Sequence, residues 1–69
     1  MTLLTLVKKL MRTETIIIQE ATGCDIYEGE VKDFIETLRD AGFDTVEDLI
    51  TSEVDIAFIN NGKLVIVLA

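Results

Sequence analysis

The sequence predicts a small α+β domain: two β-hairpins forming an antiparallel sheet, packed with two amphipathic helices in the order α-β-β-α-(short α)-β-β. Three observations carry this expectation. Two segments separate apolar from charged residues completely at helical spacing. A β-branched run occupies Thr15-Ile16-Ile17-Ile18-Gln19, too short for a helix and rich in strand formers. Near the end, Asn61-Gly62 sits between two apolar runs, the strongest short-range hairpin signal. At 69 residues the chain has room for one domain, 1–69, and no linker, repeat or low-complexity segment divides it.

On a helical wheel for Leu3 to Arg12, Leu3, Leu4, Leu6, Val7, Leu10 and Met11 share one side, and Thr5, Lys8, Lys9 and Arg12 share the other. Thr2 is the expected N-cap, and the late cations suit the helix C-terminus. After the first strand, Ala21-Thr22-Gly23-Cys24-Asp25 supplies turn chemistry, Ile26-Tyr27-Glu28 is the returning strand, and Gly29 is its exit.

From Glu30 the period changes. Val31, Phe34, Ile35, Leu38 and Ala41 share a helical face opposite Lys32, Asp33, Glu36, Arg39 and Asp40. Gly42 stands where a left-handed terminator belongs, with Phe43 placed to fold back on Leu38 in a Schellman stop. Asp44, three residues before Glu47, predicts a capping box for a short helix through Val46, Leu49 and Ile50. In the last hairpin a two-residue loop sets Asn60 against Lys63, Phe58 against Val65 and Ile56 against Val67.

Alternation assigns Val54, Ile56, Phe58, Val65 and Val67 to one face of that hairpin and Ala57, Ile59, Leu64, Ile66 and Leu68 to the other. Both faces are apolar, unlike a half-solvated antiparallel sheet. The chain's own helices can cover one; a helix on the far side or another subunit must cover the second. A chain of this length buries only about 60% of its unfolded surface. Cys24 is alone and histidine is absent, so neither a disulfide nor a structural zinc site can staple it. Association into a homodimer or higher oligomer is therefore favoured, with Ile59, Leu64, Ile66 and Leu68 as interface candidates.

Composition excludes much chemistry. Without histidine, Cys24 has no base to activate it, and Asp25 beside it makes no electropositive setting. Asp40, Asp44, Glu47 and Asp48 lack the alternating oxygen pattern around a central glycine that a calcium loop requires. No glycine-rich phosphate loop occurs, and no cofactor or enzymatic activity is expected. Six Lys and Arg against 13 Asp and Glu give a net charge of −7. The first twelve residues carry Lys8, Lys9 and Arg12 and no acid, so the remainder stands at −10. That sign disfavours direct nucleic-acid binding and docking on anionic membranes. The apolar N-terminal cluster precedes its cations instead of following them, so no secretory leader is expected, and no stretch reaches the ~18 apolar residues of a membrane span. A lone free thiol fits the cytoplasm.

The acids are concentrated. Between Asp25 and Asp55, eleven stand against Lys32 and Arg39. Asp33, Glu36 and Asp40 line the exposed face of the second helix, and Asp44, Glu47 and Asp48 follow. Such a stripe can imitate a phosphate backbone before a protein partner with a basic surface, or simply keep an apolar domain soluble.

Ile26-Tyr27-Glu28-Gly29-Glu30-Val31-Lys32-Asp33 and Asn61-Gly62-Lys63-Leu64-Val65-Ile66, with the Thr15-Ile16-Ile17-Ile18 strand after a short amphipathic helix, resemble very short open reading frames carried by phages and prophages. The resemblance spans most of the chain through hydrophobic patterns and turn glycines. It implies an origin in a mobile element. Small acidic phage proteins include inhibitors of host defences, anti-CRISPR proteins among them, and no family site residue carries over. The expectation is an interaction protein inhibiting a host defence or nucleic-acid-processing complex through its acidic face. The alternatives are a self-associating assembly module and, less favoured, a small-ligand sponge at a subunit junction.

Overall fold

The computed structural model describes residues 1–69. Helix α1 spans Leu3–Lys9, and the Thr2 hydroxyl accepts from the Thr5 N–H at 3.3 Å, as a capping threonine should. It ends earlier than the wheel suggests. Leu10 adopts an extended conformation, so Met11 leaves the apolar stripe and is 73% exposed.

Strands β1 (Thr15–Gln19) and β2 (Asp25–Glu30) form the first hairpin. Its outer strand is longer than predicted and runs directly into α2 (Val31–Ala41). Glu30 offers α2 no side-chain cap; the Val31 and Lys32 N–H groups donate instead to the carbonyls of Glu14 and Arg12 at 2.9 Å. Free helix donors are thus satisfied by the neighbouring loop. Gly29 makes room for Tyr27, since a Cβ there would lie 2.6 Å from the Tyr27 hydroxyl and displace it.

The expected Schellman stop is only half made. The Gly42 N–H reaches the Leu38 and Arg39 carbonyls at 3.0 and 3.3 Å with φ at 87°. Its ψ of 130° then sends the chain outward, leaving Phe43 exposed instead of on Leu38. The capping box does not form either. Backbone bonds from Thr45 and Val46 to the Gly42 carbonyl build a turn first, so α3 (Glu47–Ile50) begins after Val46, and no side chain caps it.

Strands β3 (Val54–Asn60) and β4 (Lys63–Leu68) pair in the predicted register, joined by Asn61 and Gly62 at φ of 53° and 76°. Those left-handed values suit a type I′ turn. The sheet order is β2-β1-β4-β3. The expected antiparallel sheet is in fact mixed, because β1 and β4 meet in parallel, Ile16 beside Leu64 and Ile18 beside Ile66. Two strongly apolar strands thereby take the centre, as parallel pairs do, and β2 and β3 become the edges.

One core holds the layers together. Leu3, Val7, Val31, Phe34, Leu38 and Ile50 pack on Ile16, Ile18, Ile66 and Leu68. The helices therefore share one side of the sheet and do not straddle it. The N-terminus is fixed to the start of β3 by a Thr2–Glu53 bridge and by the Met1 ammonium on Glu53 at 2.9 Å. No helix is long and apolar enough to cross a membrane.

Candidate functional site

Because strand side chains alternate, covering one face of the sheet leaves the other open. Leu64, Ile66 and Leu68, predicted as interface candidates, face the helices: Ile66 and Leu68 are buried in the core, and Leu64 packs against it. They are corrected to core residues. Ile59 shares their face but lies on edge strand β3, beyond the helical cover, and stays exposed.

The open face is the opposite one. The pairings align Ile17, Val65 and Phe58 across β1, β4 and β3, with Val67 and Ile56 on the next rung. Val65 is only 3% exposed although it lies outside the helix-covered cluster. Its cross-strand neighbours Ile17 and Phe58 shield it. Val54, assigned by alternation to this face, packs against the core instead. The bulge between Val54 and Ile56 inserts one extra residue and reverses the alternation there.

The open face is rimmed by one ion pair and one hydrogen-bonded carboxylate. Lys63 Nζ meets Glu28 Oε2 at 2.6 Å, and Gln19 Nε2 donates to Asp25 Oδ1 at 2.9 Å. Its centre has no charged residue.

The acidic candidates lie elsewhere. Asp33, Glu36 and Asp40 are exposed on α2, whose opposite side buries Val31, Phe34 and Leu38. Asp44 lies in the turn before α3, and Glu47 and Asp48 form its first turn, all three exposed. The three ion pairs are Met1–Glu53, Lys32–Glu30 and Lys63–Glu28, so none of the six acids is neutralised in a pair.

Beside α3 lies an open cleft of about 290 Å³, lined by Glu20, Ile26, Asp48, Leu49, Ser52 and Leu68 among others. No cation, histidine or thiol lines it, and the Ser52 hydroxyl donates to the Asp48 carbonyl. No three acid, cysteine or histidine side chains converge into a metal-binding group. Cys24 is exposed near the first hairpin turn. Partial burial of Tyr27 first, then the charges of Asp33 and Glu30, raise its phenol above the ordinary value. Its hydroxyl donates to the Glu30 carbonyl at 3.0 Å, and its ring lies 4.9 Å from that of Phe34. It has a packing role.

The residues missed as interface candidates are Ile56 and Phe58. Period-two alternation places them on one face, but only the helix positions reveal that this face is uncovered. No protein-family model, curated protein or solved structure matches the chain.

Proposed function

We propose that this chain is a non-enzymatic protein–protein interaction module of the cytoplasm that works by self-association. One observation carries the reading: the sheet face of Ile17, Ile56, Phe58, Val65 and Val67 has no helix over it, and its two edge-strand members are among the chain's exposed large apolar side chains. Contiguous exposed apolar surface marks interaction sites in soluble domains. The neutral centre of this face also lets chains of net charge −7 approach each other where repulsion is least. Light scattering at micromolar concentrations should give at least twice the 7.7 kDa chain mass. A single-chain mass throughout that range removes the reading.

A second reading rests on the unpaired acids of α2, α3 and the turn between them, on the helical side of the sheet. In it, Asp33, Glu36, Asp40, Asp44, Glu47 and Asp48 engage a basic protein surface and inhibit a host nucleic-acid-processing complex. Binding would then weaken steeply with salt, since the Debye length falls from ~10 Å at 0.1 M to ~3 Å at 1 M. Salt-independent capture would exclude the acidic face as the contact.

A further inference from the structure

The exposed apolar side chains of the sheet's second hairpin are concentrated on β3 and lie on both of its sides. Ile56 and Phe58, 53% and 43% exposed, are on the open face, and Ile59, 64% exposed, is on the helix side. A second sheet stacked on the open face would leave Ile59 bare. A strand added at the edge reaches all three. We propose that β3 is the self-association edge, pairing antiparallel with β3 of a second copy about a two-fold axis through Phe58. This inference rests on the self-association reading and specifies its geometry.

The register follows from the backbone. A two-residue hairpin loop makes Asn60 and Lys63 a hydrogen-bonded pair, and such pairs alternate along an antiparallel ladder. Phe58 and Ile56 therefore bond to β4, while Ala57 and Ile59 turn their N–H and C=O groups outward, away from the sheet. Two-fold antiparallel pairing satisfies these groups in both copies when Ala57 meets the partner's Ile59. Phe58 then faces the partner's Phe58, and Ile56 faces the partner's Asn60.

Length and charge favour a second copy over a longer foreign strand. One end of the edge is occupied, because the Val54 N–H donates to the Met1 carbonyl and Thr2 bridges Glu53. The other end turns away at Asn61-Gly62. The remaining window, Ile56 to Asn60, carries no charge, and a second copy presents a window of the same length. Edge-to-edge pairing of this kind is what unprotected strands are prone to.

The test combines cross-linking with mass measurement. In a Cys24→Ser background, Phe58→Cys places two thiols on a non-hydrogen-bonded pair with Cα atoms about 4.5 Å apart, within disulfide reach. Mild oxidation should yield a covalent dimer. Ile56→Cys in the same background should not cross-link, because four residues of stagger separate the two thiols by about 13 Å. Ala57→Pro removes an outward donor that the chain's own ladder does not use, so it should give a single-chain mass with an unchanged circular dichroism spectrum. If Ala57→Pro fails to fold, the cysteine pair decides. A doubled mass with cross-linking through Ile56→Cys, or no cross-link through Phe58→Cys, overturns edge pairing and leaves self-association standing. A folded Ala57→Pro protein that keeps the doubled mass does the same. A wild-type single-chain mass at all concentrations overturns both.

Discussion

β2 and β3 are both edge strands, and each turns a row of backbone groups to solvent, yet their side chains treat that exposure differently. β2 carries Asp25, Glu28 and Glu30 and runs directly into α2, whose first N–H groups bond to the Arg12–Glu14 loop. β3 carries a single charge, Asp55 at its bulge, followed by the uncharged run Ile56, Ala57, Phe58, Ile59 and Asn60, and only its first residues are covered, by Met1 and Thr2. Charge spread along an edge discourages a further strand, whereas an uncharged apolar stretch such as Ile56 to Ile59 invites one. Two hairpins of similar length therefore present one protected edge and one available edge. Charge placement separates them.

The largest expected effect removes the support beneath both edges. Ile66 is fully buried at the centre of the sheet, and Ile66→Ala should cost about 2–5 kcal/mol in a urea melt, because a cavity adds to the lost transfer energy. A cost below 1 kcal/mol would mean that the helices do not cover this face. The charged edge has its own steric weak point. Gly29→Ala sets a methyl group 2.6 Å from the Tyr27 hydroxyl and should cost about 1–2 kcal/mol as the ring is displaced from Phe34. Adding Tyr27→Phe removes the clashing oxygen and should recover part of that loss; no recovery would place the strain in the backbone.

A smaller effect on β2 depends on pH. The folded Tyr27 phenol titrates above its ordinary value, so the fold favours the neutral form. The corresponding stability is complete below the unfolded value near 10 and is lost as pH rises through the folded value. Denaturant midpoints should therefore fall in that alkaline window and fall less in Tyr27→Phe, with an identical decline in the variant ruling the phenol out. The smallest effect is far from both edges. Reversing Asp33, Glu36 and Asp40 to Lys takes the net charge from −7 to −1 and should change stability by only a few tenths of a kcal/mol, since all three are solvated. If self-association through β3 is independent of this face, the variant should keep its mass while losing solubility near neutral pH. A change in oligomeric mass at constant fold would instead bring the acidic helices into the contact.

Much of this architecture was legible in the chain. Thr2, Gly42 and Asn61-Gly62 mark boundaries through local backbone chemistry, and the 3.6- and 2-residue periods distinguish helices from strands. The departures share a cause. Each local pattern runs past the backbone angle that ends it: the Phe43 contact and the Asp44 box follow Gly42 at ψ 130°, and the Met11 stripe follows Leu10 in an extended conformation. The interface candidates Leu64, Ile66 and Leu68 show the limit most clearly. Alternation separates them from Val65 and Val67, but both sets are aliphatic, and nothing local ranks one face above the other.

By itself, the sequence determined the element order, the second hairpin's register, the amphipathic faces of α1 and α2 and the acidic character of the helical side. Each depends on residues a few positions apart, where propensity, capping and side-chain period act directly. Tertiary structure decided the parallel β1–β4 junction, the side on which all helices lie, the return of Val54 to the core through a bulge, and the exposure of β3. These arise when distant segments compete to bury the same aliphatic surface. The face that α1 and α2 cover becomes core, and the face they leave open ends in Ile56 and Phe58, which stay exposed on the edge strand.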